Sequence, residues 1–275
     1  MALFMGCPMW QHPDWLFQKQ MSGSKLSTYA QFFNTVEGNT TFYSLPNDDI
    51  AKSWQAIAQM GFQFSFKFPR AVTHDGHWHN CADYERFMTL LGGFSQLGPV
   101  QIQLPNRFDR NQIGQLAGFL AQLPADFRYS VEVRHLDFFD KNITEQTLNR
   151  MLQQEGVGRT LFDTRALFHM PADTPEVIDG QQKKPRVPLH VVSTAQHVLV
   201  RYIGPADFAA NERWFTPWVG KIQQWLAQGK DIYLFAHTPD NVMAPQLALD
   251  MQQAITGMGK GQETLTLALP QQGLF

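Results

Sequence analysis

Cysteine is scarce in this chain: Cys7 and Cys81 are its two thiols among 275 residues, far apart and in no paired spacing. That excludes a disulfide scaffold and a cysteine-built zinc site, and leaves two reduced thiols. Long apolar runs are missing too, and no stretch approaches the ~20 residues needed to cross a bilayer. The start, Met1-Ala-Leu-Phe-Met-Gly-Cys-Pro8, has neither a basic leader nor an extended apolar segment, so it reads as a first strand rather than a signal peptide. No glycine-rich dinucleotide fingerprint follows any strand, and neither a phosphate-loop lysine motif nor a Gly-x-Ser-x-Gly elbow occurs. Charge of one sign does not dominate either. Twenty-two Lys and Arg face 24 Asp and Glu, for a net charge of −2. This argues against a general binder of nucleic acid or anionic membranes, while a local basic pocket stays open. The expectation is a cytoplasmic protein with no organic cofactor, no resident metal and no membrane partner.

What is present is a large core. Hydrophobic residues make up 44% of the chain and charged ones 17%, with 22 Phe and 7 Trp, a composition that favours order. Strand candidates lie at 3–7, 35–39, 62–68, 99–104, 128–133, 159–162, 198–203 and 231–236. Helical patterns lie at 27–33, 48–59, 84–91, 112–122, 145–155, 212–227 and 245–255. Asn47 or Asp48 is placed to cap the second helix, Thr144 to open the fifth, and Gly156 and Gly229 to end helices just before strands. Eight strands alternating with helices predict one α/β domain over 1–275, a single (β/α)8 TIM-type barrel. One crossover departs from the repeat. Residues 164–196 carry Pro171, Pro175, Pro185, Pro188 and the basic run Lys183-Lys-Pro-Arg186, which predicts an irregular excursion in place of a sixth helix.

The strands share a second property: they end in ionisable or amide side chains. In Glu132-Val-Arg134, Gln101-Ile-Gln103, Ser65-Phe-Lys67 and Thr35-Val-Glu37-Gly-Asn39 the polar residues keep one parity. Alternate residues of a strand face opposite sides. Phe62, Phe64, Phe66 and Phe68 suit the helix side, which turns Lys67 inward. Glu37, Lys67, Gln103, Glu132, Arg134, Asp163, Arg201 and His237 all fall near predicted C-terminal strand ends, where barrel enzymes hold their chemistry. The plainer alternative is a structural ion-pair network filling the barrel interior.

Several segments resemble the signatures of the DUF72, or YecE-like, family. They are Thr35-Val-Glu-Gly-Asn-Thr-Thr-Phe-Tyr43, Phe66-Lys-Phe-Pro-Arg70 with His74, Leu104-Pro-Asn-Arg-Phe108, Val131-Glu-Val-Arg-His135 and Phe235-Ala-His-Thr-Pro-Asp-Asn241. They recur in order from about Gly6 to Pro245. The resemblance implies a TIM-type barrel and carries no established activity. Gly38 departs from it, standing where the family more often has a larger apolar residue.

Glu37, Lys67, Glu132 and Asp163 are therefore expected to carry the chemistry, with Glu132 or Glu37 moving a proton and Lys67 stabilising charge or acting as an amine nucleophile. Asn39, Tyr43, Gln103, Arg134, His135, Arg201, His237 and Asn241 are expected to bind substrate, the arginines by capturing carboxylate or phosphate. The expected function is a lyase, isomerase or hydrolase acting on a small anionic or sugar-like metabolite. A metal-dependent hydrolase or isomerase using Glu37, Glu132, Asp163 and His237 is the second reading. A non-catalytic protein engaging a partner or nucleic acid through Lys183–Arg186 and exposed aromatics is the third. Glu37 and Glu132 also suit a glycosidase pair, whose separation a sequence cannot supply. The run His74-Asp-Gly-His-Trp-His79 offers three imidazoles, yet no regular element fixes them, so a solvated loop is the simpler account. Trp10, Tyr43, Trp78, Phe108, Phe138 and Phe139 are expected to pack loops over the barrel mouth, and Trp214, Phe215, Trp218 and Trp225 to pack in the core.

Overall fold

The computed structural model describes residues 1–257 and shows a mixed α/β fold of parallel strands and twelve α-helices. The strands are β1 Leu3–Gly6, β2 Thr35–Gly38, β3 Gln63–Phe66, β4 Val100–Gln103, β5 Tyr129–Glu132, β6 Gly158–Arg159, β7 Leu161–Asp163, β8 His197–Ile203 and β9 Asp231–His237. Every ladder is parallel. They form three sheets, β1-β9-β8-β7, β2-β3 and β4-β5-β6, which are not closed into one continuous ring. The expected strand near 159–162 is split, β6 pairing with β5 and β7 with β8.

Side chains intercept the backbone groups where the ladders stop. Between β1 and β2, Tyr29 Oη accepts from Cys7 N at 2.7 Å and donates to Thr35 O at 3.0 Å. Asn34 likewise accepts from Met5 N and donates to Leu3 O. At β6, Thr194 Oγ1 accepts from Arg159 N and donates to Val157 O, both at 2.7 Å. Between β3 and β4, two single bridges remain, Phe64 with Leu97 and Lys67 with Gln101. These backbone groups are thus satisfied without extending the sheet.

The helix side is packed as the parity predicts. Phe64 and Phe66 stack on Trp54 of the helix Asp48–Ala58, and Phe68 meets Phe87 and Phe119 from the helices Ala82–Gly92 and Ile113–Leu120. Phe215, Trp218 and Trp225 are buried in the helix Phe208–Ala227. Asn47 caps the helix Asp48–Ala58 through Ile50 N at 2.9 Å, and Gly156 and Gly229 take positive φ after their helices. The helix Ile143–Gln154 starts just before Thr144, with Asp140 accepting from Glu145 N.

The crossover 164–196 is more ordered than its prolines suggest. It holds the helices Arg165–His169 and Pro175–Lys183 before a stretch without regular elements runs to β8. Thr174 accepts from Val177 N and Pro175 follows it. A capping hydroxyl followed by a first-turn proline starts a helix rather than breaking one. Both cysteines are free, and no described helix is long and apolar enough to cross a membrane.

Candidate functional site

Strand ends supply the core of the site. Glu37, Gln103, Glu132 and His237 stand at or next to the last residue of β2, β4, β5 and β9, with Lys67 and Arg134 just beyond β3 and β5. Arg201 reaches them from β8. Its Nη2 lies 2.8 Å from Glu37 Oε1, and its Nη1 donates to Glu132 Oε2 at 2.6 Å. Arg134 Nε donates to Glu132 Oε1 at 2.6 Å. Lys67 Nζ donates to Glu37 Oε1 at 3.2 Å and to Gln103 Oε1 at 3.1 Å. His237 Nε2 is 3.0 Å from Glu37 Oε2 but poorly aligned for a hydrogen bond. Phe162 closes one side, its ring 4.4 Å from the Arg201 guanidinium and edging His237.

Glu37, Lys67, Glu132, Arg201 and His237 are all buried, whereas the Arg134 side chain is 16% exposed. Burial alone would raise the Glu37 carboxyl, but Arg201 and Lys67 outweigh it and hold it well below its usual range. Burial opposes ionisation of Glu132 as well, yet Arg134, Arg201 and Lys67 bring it to about 2. Lys67 moves the other way. Burial and the Arg201 charge pull its amine to about 8, against the pull of Glu37 and Glu132. Burial brings His237 to about 4 despite Glu37, and brings His74 there with help from Arg134. Both imidazoles are neutral at pH 7. The carboxylates are fixed anions, and Lys67 is the strand-end group that can exchange a proton near neutrality.

Two members were not assigned to the site from sequence. His74, seen there as part of a histidine-rich loop, turns its Nε2 to 3.4 Å from Gln103 Nε2. Lys184, from the basic run, carries its ammonium into the field of Arg201, Glu37, Arg134 and Glu132. Pro185 was the available signal, since a proline drives the preceding residue out of the helix, and Lys184 is extended at φ −90° and ψ 144°. The rest of the run points elsewhere. Lys183 pairs with Asp179, and Arg186 lies over Phe168, so the run presents no continuous basic face.

Other expected members make their contacts outside the cluster. Asp163 accepts from Arg165 Nε at 2.9 Å and Trp218 Nε1 at 2.8 Å, on the helix side of β7. The set Glu37, Glu132, Asp163 and His237 therefore does not converge. Asn39 donates to Pro8 O, and Tyr43 is 82% exposed. His135 accepts from Asp137 N. Asn241 takes a positive φ of 63° while its carbonyl accepts from Trp15 Nε1. Of the histidine loop, His79 packs on Tyr84 and Phe119 while His74 faces Gln103. Among the described residues, no three of His, Cys, Asp and Glu are grouped to hold a metal ion.

The chain has relatives. A family profile described as "Protein of unknown function DUF72" matches residues 4–272. The chain is 40% identical to the UPF0759 protein YecE of Escherichia coli strain K12 over 247 residues, 89% of each chain. It is 39% identical to the YecE protein of E. coli O157:H7 over the same share. Among crystal structures, a DUF72 family protein of Enterococcus faecalis V583 superposes with a TM-score of 0.70 at 15% identity, covering 93% of this chain and 96% of its own. One from Thermotoga maritima MSB8 gives 0.61 at 18% identity, covering 93% and 100%. At such identities the structural likeness concerns the fold alone.

Proposed function

This chain belongs to the DUF72 family, and from that premise we propose that it is a cytoplasmic enzyme handling a small anionic metabolite at its gathered strand ends. The three parallel sheets are read as arcs of one (β/α)8 TIM-type barrel in a single domain. The single bridges between β3 and β4 and the Glu37 N to Cys7 O hydrogen bond of 3.0 Å between the β1 and β2 segments support that reading. In such barrels the C-terminal strand ends carry the chemistry, and Glu37, Gln103, Glu132 and His237 stand there.

The observation that carries the proposal is the charge balance. The strand-borne cations Lys67, Arg134 and Arg201 outnumber the carboxylates Glu37 and Glu132, with both neighbouring histidines neutral. Uncompensated buried charge is costly, and the excess opens outward at Arg134. Arg134 spends Nε and Nη2 on one oxygen of Glu132, which leaves guanidinium donors for a ligand oxyanion. Lys67 is then the proton carrier of a lyase, isomerase or hydrolase step. Glu37 and Glu132 hold the cations in place and are too acidic to act as the acid.

Calorimetric titration of small phosphorylated and carboxylated compounds into the wild type and Arg134→Ala tests this. Binding by the wild type that Arg134→Ala loses, with the fold intact, is the expected result. No binding to either, with Arg134→Ala and Arg201→Ala altering stability alone, would establish the cluster as a structural ion-pair plug.

A further inference from the structure

We propose that Lys184 is the ligand-facing cation of this site, held over its mouth by segment 184–190 so that a dianionic ligand binds between Lys184 and Arg134. The proposal rests on the anion-site reading above and adds both the residue that completes the site and the charge of what it takes.

The segment is built as a strap. It begins where the helix Pro175–Lys183 ends, with Lys184 N donating to Gly180 O at 3.0 Å. Pro185 is buried and its carbonyl accepts from Thr164 Oγ1 at 3.2 Å. Pro185, Val187, Pro188 and Leu189 then line a narrow gap against Val133 and Phe162. Phe162 is the residue whose ring faces Arg201 and His237, so the strap crosses the cluster's edge. Its far end is tied by His190 Nδ1, 2.7 Å from Glu145 Oε1, and Arg159 Nη1 donates to that same oxygen at 2.8 Å. Arg159 and Glu145 are both buried. Hydrogen bonds at both ends fix where the Lys184 side chain starts.

Lys184 differs from its neighbours in being uncommitted. Lys67, Arg134 and Arg201 each pair with Glu37 or Glu132. Lys184 feels Glu37 and Glu132 through space, with no hydrogen bond to either carboxylate. With it, four cations (Lys67, Arg134, Lys184, Arg201) face two carboxylates (Glu37, Glu132), an excess of two positive charges. An unpaired, half-buried ammonium beside like charges destabilises the empty site, and a dianion relieves that penalty. A phosphate monoester or a short dicarboxylate has that charge.

The test is calorimetric titration of the full-length protein with inorganic phosphate and, separately, malonate, at low ionic strength and neutral pH. Thermal unfolding is followed with and without each probe. The wild type should bind at least one probe, and which one separates the phosphoryl from the dicarboxylate source. Lys184→Met and Lys184→Gln should each weaken that binding tenfold or more, the scale of a charged hydrogen bond. Lys184→Arg should restore it to within a few-fold, and Lys183→Met should leave it unchanged. Without probe, Lys184→Met should unfold no earlier than the wild type, because it removes a repulsion. Wild-type affinity in both Lys184→Met and Lys184→Gln overturns the role of Lys184, and loss of binding in Arg134→Ala would then show the anion site itself standing. A wild type that binds neither probe, or Arg134→Ala binding as the wild type does, overturns both.

Discussion

Arg201 Nη1 sits 2.6 Å from Glu132 Oε2 across 69 residues of chain, both side chains buried. The same guanidinium holds Glu37, so one cation joins the ends of β2 and β5 from β8. Removing it leaves Glu132 with Arg134 alone and Glu37 with Lys67 as its remaining cation, both carboxylates still buried. Arg201→Ala should therefore cost about 3–5 kcal/mol, the range for breaking a buried ion pair, read from urea unfolding. A loss below about 1 kcal/mol would mean that water already screens the cluster.

Acid should weaken the protein in two stages. His237 and His74 sit near 4 when folded against an ordinary 6.5, so the unfolded chain binds their protons first. The stability they contribute is complete above about pH 6.5 and drains as pH falls toward 4. Glu132 sits near 2 against an ordinary 4.5, so its contribution is complete above about pH 4.5 and drains toward pH 2. The early stage should have a slope of up to about 1.4 kcal/mol per pH unit for each histidine. His237→Gln should flatten the profile between pH 6.5 and 4 and leave the lower stage in place. An unchanged upper stage would show that His237 is already protonated in the native protein.

Asp163 offers a contrast within β7. It accepts from Arg165 Nη2 at 2.8 Å and Trp218 Nε1 at 2.8 Å, and it is fully buried. Asp163→Asn should cost about 1–3 kcal/mol through weakened charged hydrogen bonds while phosphate or malonate affinity stays put. Lost affinity without lost stability would return Asp163 to the functional site, where it was expected to carry chemistry.

Strand parity explains both what the sequence revealed and what it hid. Ser65-Phe-Lys67 and Glu132-Val-Arg134 alternate cleanly, so the inward turn of Lys67 and Glu132 was legible. At Leu161-Phe-Asp163 the apolar member, Phe162, faces Arg201, and the polar one faces the helix Phe208–Ala227. A lone polar residue at a strand end does not reveal its face when the residues before it, here Leu161 and Phe162, show no alternation. Lys184 was hidden for another reason. Its neighbours Lys183 and Arg186 are exposed, and nothing in the run's composition tells which cation turns inward; only the three-dimensional path of the strap does. The breaks between sheets were invisible because they depend on Tyr29, Asn34 and Thr194 reaching backbone groups of distant strands.

Gly38 provides the last test. The family resemblance leads one to expect a larger apolar residue there, yet a β-carbon at this position would meet Phe66 Cδ1 at 2.5 Å. Phe66 fills the space itself, stacked on Phe64 and Trp54 and edge-on to Phe94. The missing side chain and the large ring are therefore one packing solution shared across β2 and β3. Gly38→Ile should cost about 1–3 kcal/mol by overpacking, and so should Phe66→Ala or more, by leaving a cavity. The double variant should recover part of the sum, with a coupling of about 0.5–3 kcal/mol between residues in contact. Chemical unfolding of the four proteins measures the cycle. Strict additivity would show that the ring moves aside freely, and Gly38 would then be an unconstrained position instead of one half of a pair.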